Sequence, residues 1–215
     1  MQNDHLNSQV DIAALPFSQA CENNKQPILD ILQNELQGFQ HVLEIGSGTG
    51  QHSVYFAPRL EHLIWQTSDV FANHATINAW HATYPAPNLY APLIFDVSCD
   101  PLPINKVIDT PYDAVFTANT LHIMSWPLVA KLFQLVGDVL PLNGKFIVYG
   151  PFNEKGCYTS EGNRQFDHSL RQRDASSGIR HLEDVINLAN THHLTLSKRY
   201  AMPSNNQILV FEKLY

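Results

Sequence analysis

From Ser18 onward apolar residues return at three- and four-residue steps, at Ile28, Leu29, Leu32 and Leu36. That spacing predicts an amphipathic helix, stopped by Gly38. The period then shortens. Residues 41–46 read as a strand that runs into a glycine-rich turn. A helix follows from near Gly50 to near Pro58, where proline would end it. A second strand is expected over 63–68, helical spacing over 71–82, and strands over 89–97 and 112–118. Ser125 and Trp126-Pro127 look like the cap and first turn of a helix over 128–140. A fifth strand covers 144–150, and 182–191 is helical again. Two apolar β runs, 194–202 and 207–213, close the pattern. Pro203-Ser204-Asn205-Asn206 joins them, with Asn205 and Asn206 suited to a hairpin turn at positive φ.

Strands alternating with helices imply a parallel sheet covered on both faces, an α/β doubly wound architecture. The short link between the last two strands makes them an antiparallel hairpin. The expected fold is therefore a mostly parallel, seven-stranded sheet with a C-terminal antiparallel hairpin. Plain dinucleotide-binding domains do not usually end in such a hairpin. One domain is expected over 18–215, preceded by a loose arm at 1–17. The polar stretch between the fifth strand and the helix at 182 is long and holds Gly156 and Gly162, which suits a lid or binding loop.

The chemistry concentrates in Glu44-Ile45-Gly46-Ser47-Gly48-Thr49-Gly50-Gln51, between a predicted strand and a predicted helix. A glycine turn there lets backbone press against a ligand at a helix N-terminus. Asp69 ends the next strand, about 20 residues on, where an acid can accept both hydroxyls of a ribose. A dinucleotide fingerprint wants a small residue at position 51, which here is Gln51. Glu44, beside the turn, would repel a pyrophosphate and suits a cationic ligand. The sulfonium and amine of S-adenosyl-L-methionine meet that requirement.

The formal net charge of −7 and the absence of any Lys/Arg run argue against a nucleic-acid partner. Only a local patch of Arg171, Arg173 and Arg180 could grip an anion. The three cysteines, Cys21, Cys99 and Cys157, are scattered, and none of the 11 histidines falls in a metal-binding spacing. With no secretory signal over 1–16 and no apolar run long enough for a bilayer, a cytoplasmic protein with a small-molecule substrate is expected. Composition is silent on oligomeric state.

Seven segments resemble class I S-adenosylmethionine-dependent methyltransferases, and within them a small family related to the animal methyltransferase-like protein 26. They are Asn24 to Leu29, Leu43 to His52, Trp65 to Asp69, Ala118 to Ile123, Tyr149 to Phe152, Asn163 to Asp167 and Met202 to Asn206. The resemblance implies that Glu44, Gly46, Ser47 and Gly48 line the methionine side of the cofactor. It puts Asp69 on the ribose, Asp96 at the adenine amino group, Val97 beside the ring and Asn119 under the methionyl part. Gly50 completes the turn, and His52 would pack near the cofactor. Asn24 and Lys25, ahead of a helix start at Pro27, would touch its carboxylate or the substrate. Relatives carry W-G-x-R-D where this chain reads Ser177-Gly178-Ile179-Arg180-His181, which keeps Arg180 and implies a different substrate pocket.

Methyl transfer is an in-line displacement in which a general base is useful but not required. His122, just past the fourth strand, fits two readings: a proton acceptor or a hydrogen-bonded structural histidine. Tyr149 is a second candidate for the chemistry. Asn153, Asn163, Phe166, Asp167 and Arg180 are candidates for holding the substrate. Three functions follow: a methyltransferase, a non-catalytic module that binds the same cofactor, and a nicotinamide-dependent oxidoreductase. Gln51, Glu44 and the C-terminal hairpin count against the third.

Overall fold

A computed structural model describes residues 15–108 and 110–214. The part of the expected N-terminal arm that falls at 1–14 lies outside the described residues. The chain alternates as predicted: α1 (Gln19–Glu35), β1 (His41–Ile45), α2 (Gln51–Phe56), β2 (Ile64–Asp69), α3 (His74–Thr83), β3 (Leu89–Ile94) and β4 (Ala114–Ala118). It continues with α4 (Trp126–Val139), β5 (Lys145–Asn153), α5 (Glu161–Arg173), β6 (Arg180–His181), α6 (Leu182–Thr191), β7 (Leu194–Met202) and β8 (Asn206–Lys213).

The strands form one sheet in the order β3-β2-β1-β4-β5-β8-β7. Strands β1 to β5 run parallel, and β8 pairs antiparallel with both β5 and β7. The main path is thus the expected seven strands with their antiparallel hairpin. The two-residue β6 is an addition, paired to the end of β5 at Phe152 and Asn153. Neighbours diverge at β1, which lies between β2 and β4, so the sheet has its switch point there. A crevice opens at that point, beyond the C-terminal ends of the strands.

The central parallel strands β1, β4 and β5 are buried on both faces, whereas β3 at the sheet edge is partly exposed. Along β5, Phe146 and Val148 pack with Val129, Leu132, Phe133 and Val136 of α4 and Val185 of α6. Ile147 and Tyr149, on the other face, join Ile28, Leu29 and Leu32 of α1 and Phe56 of α2. The alternation of period two within the strand sorts these side chains between two cores.

One buried acid ties the second core together. Glu35, at the end of α1, is 1% exposed. Its carboxylate accepts from Lys145 Nζ of β5 (3.0 Å), Lys198 Nζ of β7 (2.8 Å) and the hydroxyl of Tyr200. Lys145 also donates to the Glu35 carbonyl (2.8 Å), one of the acceptors a helix end leaves open. Burial opposes ionisation of Glu35, but the hydrogen bonds from Lys198, Tyr200 and Lys145 outweigh it and hold the carboxyl at about 2.

Four local expectations change. The segment read as a lid loop contains α5. Its inward positions, Asn163, Asp167 and Leu170, keep helical spacing, but two are polar, so no apolar period shows. Ser160 caps it by accepting from Asn163 N (3.0 Å), with Glu161 in the first turn and Arg171 and Arg173 in the last, as the helix dipole favours. Second, Pro27 lies inside α1, so Asn24 and Lys25 are helical rather than ahead of the helix. The cap is Ser18, whose Oγ accepts from Cys21 N (3.3 Å). Third, β5 runs on through Pro151 to Asn153 because β6 and β8 continue to pair with it. Fourth, Ser204 and Asn205 take positive φ in the hairpin turn, whereas Asn206 is extended and opens β8. No helix among the described residues is long and apolar enough to cross a membrane.

Replacing Glu35 by Gln should destabilise the fold by about 3 kcal/mol in urea denaturation, because two ammonium groups lose their buried partner. The folded carboxyl sits near 2 against 4.5 when free. Its contribution is therefore complete above pH 4.5 and is lost as the pH falls toward 2. Glu35→Gln should lack that step of the acid limb.

Candidate functional site

A cavity of about 570 Å³ lies at the switch point, a volume suited to a small-molecule site. Its floor is the turn from β1 to α2. Gly46 N and Ser47 N donate to the Ser68 carbonyl (3.0 and 3.2 Å), and Ser68 Oγ donates to the Glu44 carbonyl (2.8 Å). These bonds stitch the turn to the end of β2. Gly46 has φ 71°, and a Cβ there would lie 2.6 Å from Thr120 Cγ2. Gly50 has φ 87°, and its Cβ would meet Ile77 Cα of α3 at 3.1 Å. Only glycine meets both demands of conformation and space.

Asp69 forms one wall and is 8% exposed. Its Oδ2 accepts from Gly48 N (2.7 Å), and its Oδ1 from Val70 N (2.7 Å) and Asn73 Nδ2 (2.8 Å). The carboxylate is fixed in direction, and Oδ2 keeps acceptor capacity toward the cavity. At the far end lie Asp96 and Val97. Asp96 Oδ1 accepts from Ser98 N (2.8 Å) and Ser98 Oγ (2.6 Å), which holds its carboxyl below the usual range.

The loop after β4 supplies the opposite wall. Asn119 sits at φ 60°, an unusual conformation of the kind found at binding sites, and its N–H donates to the Tyr149 carbonyl (2.9 Å). Thr120 Oγ1 pairs with Thr117 Oγ1 (2.6 Å). His122 is 5% exposed, with its ring edge-on to Phe166 at 5.2 Å. Burial, helped by the charge of Arg180, lowers the imidazole to about 4. It is neutral at physiological pH, and it lines the cavity.

The cavity thus brings together Gly46, Ser47, Gly48, His52, Asp69, Asp96, Val97, Asn119, His122 and Phe166. The other candidates stand behind it. Glu44 is buried under the turn, where Trp65 Nε1–H donates to Oε2 (2.9 Å). Burial pushes its carboxyl up to about 7, against the hydrogen bonds from Trp65 and Ser47. Gly50 closes the turn toward α3. Asn24 Oδ1 lies 2.7 Å from His52 Nε2 and positions that ring, which burial lowers to about 4. Lys25 turns outward to pair with Glu22 and lies over the Tyr55 ring. Tyr149 belongs to the α1-side core, and burial raises its phenol.

The substrate candidates other than Phe166 form a frame around the loop. Asp167 accepts from Ile179 N (2.6 Å), Tyr158 Oη (2.8 Å) and Arg171 Nε (2.8 Å). Arg180 donates to the carbonyls of Leu121 (3.0 Å), Met124 and Ser176 (3.0 Å). Asn153 Nδ2 donates to the Ile179 carbonyl (3.5 Å), and Asn163 Nδ2 to Thr159 Oγ1 (2.8 Å). None of these four side chains lines the cavity, because each is engaged by neighbouring loops.

Sequence reasoning missed Ser18 and Cys21, which line the cavity from the first turn of α1. Gln51 brings them there: its Oε1 accepts from Ser18 N (2.6 Å) and from Thr49 Oγ1 (3.1 Å). A polar side chain where dinucleotide folds need a small one was the available signal. Asn73, four residues after Asp69, and Thr120, which occupies the space above Gly46, were also missed.

The fold resembles solved class I methyltransferases. An O-methyltransferase family protein from Burkholderia thailandensis superposes with TM-score 0.75 at 11% identity, over 91% of this chain and 57% of that one. Human N-acetylserotonin methyltransferase in complex with S-adenosylmethionine gives 0.74 at 13%, over 91% and 53%. An O-methyltransferase family 2 protein from Planctomyces limnophilus, in complex with apigenin, gives 0.71 at 12%, over 89% and 62%. The chain therefore spans little more than half the length of these proteins, and at such identity the likeness establishes the fold alone. A family model matches residues 15–213, nearly all that the structure describes, and the chain belongs to that family, a protein of unknown function (DUF938).

Proposed function

We propose that this protein is an S-adenosylmethionine-dependent methyltransferase acting on a small molecule, and that its family is related to the methyltransferase-like protein 26 group. The observation that carries the reading is the Asp69 carboxylate, fixed by Gly48, Val70 and Asn73 at the wall of the cavity. A carboxylate so held, with acceptor capacity left on Oδ2, suits a ribose hydroxyl. The residues present fit the rest of the cofactor. The backbone at Gly48 borders open space, where a Cβ would meet nothing nearer than the Gly46 carbonyl at 4.0 Å, and the charged side chains on the cavity wall, Asp69 and Asp96, are both acidic. A ligand with a sulfonium and an amine finds complementary charge there. A pyrophosphate would meet two acids and no cation.

When bound, the cofactor supplies an electrophilic methyl group. Asp69 would hold the ribose and Asp96 with Val97 the adenine. The turn at 46–48 and Asn119 would flank the methionyl part. His122, neutral and facing the same space, would orient the acceptor and take up its proton where one is released. The nicotinamide reading loses support from Gln51, whose side chain fastens α1 over the turn.

Asp69→Ala should weaken S-adenosylhomocysteine binding about tenfold to hundredfold, the loss of charge-assisted hydrogen bonds. An unchanged affinity would mean that the ribose lies elsewhere. Gly46→Ala should cost about 1–2 kcal/mol of stability from its left-handed backbone. Part of any further loss is the contact with Thr120 Cγ2, which Thr120→Ser removes. The double variant should recover that part in thermal denaturation. Release of S-adenosylhomocysteine during incubation with acceptors tests turnover itself, and a binding module would release none.

A further inference from the structure

The acceptor end of the cavity is built from one loop and its supports. Ser177 Oγ donates to the Ile123 carbonyl (2.6 Å), Gly178 N to the His122 carbonyl (2.8 Å), and Arg180 to the carbonyls of Leu121 and Met124. Segment 176–180 thus satisfies the loop's backbone from behind and leaves its side chains to the cavity. Those side chains are His122, Ile123 and Met124, joined on the wall by Leu128 and Phe166. Ile123 and Phe166 are 58% and 40% exposed, large apolar groups held open at the mouth of a site.

The cations that could have received an anion are turned away. Arg180 is bonded to loop carbonyls, Arg171 pairs with Asp167, and neither lines the cavity. No Lys or Arg lines it among the described residues. Among the polar groups that line the cavity, His122 lies beside this apolar wall, with its ring edge-on to Phe166. An imidazole on a cavity wall can exchange one hydrogen bond with a ligand hydroxyl as acceptor or donor.

We infer that the acceptor is an uncharged molecule with an apolar body and a hydroxyl group that hydrogen-bonds His122, and not a carboxylate or phosphate. The apolar wall from Ile123 to Phe166 takes the body, and the imidazole takes the hydroxyl. An anion would lose its hydration against this wall and find no cation in return. The inference rests on the methyltransferase reading of the same site.

The test is ligand-observed NMR titration of the full chain, saturated with S-adenosylhomocysteine, with naphthol, naphthalene and naphthoate. Naphthol should bind about tenfold tighter than naphthalene, as one recovered hydrogen bond requires, and tighter still than naphthoate. His122→Phe should bring the naphthol-to-naphthalene ratio to about one. Phe166→Ala should weaken both and preserve the ratio. Because the ratio is internal to each variant, a general loss of folding does not imitate the result. Naphthoate binding as tightly as naphthol, a ratio unchanged by His122→Phe, or no binding of naphthol and naphthalene at millimolar concentration would each overturn the inference. Failure of the protein to bind S-adenosylhomocysteine in the first place would instead overturn the function on which it rests.

Discussion

The backbone N–H of Gly48 donates to the carboxylate of Asp69, and the arrangement of the cavity follows from that contact. It requires the first glycine turn to lie against the end of β2, which the bonds from Gly46 and Ser47 to the Ser68 carbonyl secure. That approach leaves no room for a Cβ at Gly46, where Thr120 descends from the loop after β4. Three strand ends are thus drawn to one point, and the loops that follow them surround a single space. The second core holds the assembly from below, and Glu35 fastens α1 to β5 and β7 within it.

Charge then decides what the space can hold. Asp69 and Asp96 line it, and His52 and His122 are kept neutral by burial. Glu44 lies under the turn with its carboxyl near 7, so a cation bound above it would favour its ionised form. The site is acidic where a nucleoside cofactor would rest and apolar where an acceptor would enter. This division comes from placement rather than composition, since the arginines that could have altered it hold backbone carbonyls or pair with acids outside the cavity.

The elements most legible in the sequence are those whose period is apolar. β1, β2, β4, α6 and the terminal hairpin fall within a residue or two of expectation, because each strand and helix buries side chains against a core. Helix α5 was hidden because Asn163 and Asp167 occupy its inward positions and bind loops instead of packing in oil. The glycine turn and Asp69 were legible because their chemistry is local to a few adjacent residues. The roles of Tyr149, Asp167 and Arg180 were not, since each depends on which segments the topology brings beside it. Ser18 and Cys21 enter the cavity only because Gln51 holds a helix 33 residues earlier in the chain, a contact without a sequence period.

Cofactor choice is the point on which the account stands. Isothermal titration of the purified chain with S-adenosylhomocysteine, and separately with NADH, measures it directly. Saturable binding of S-adenosylhomocysteine and none of NADH is the expected result. Binding of NADH without S-adenosylhomocysteine would contradict it.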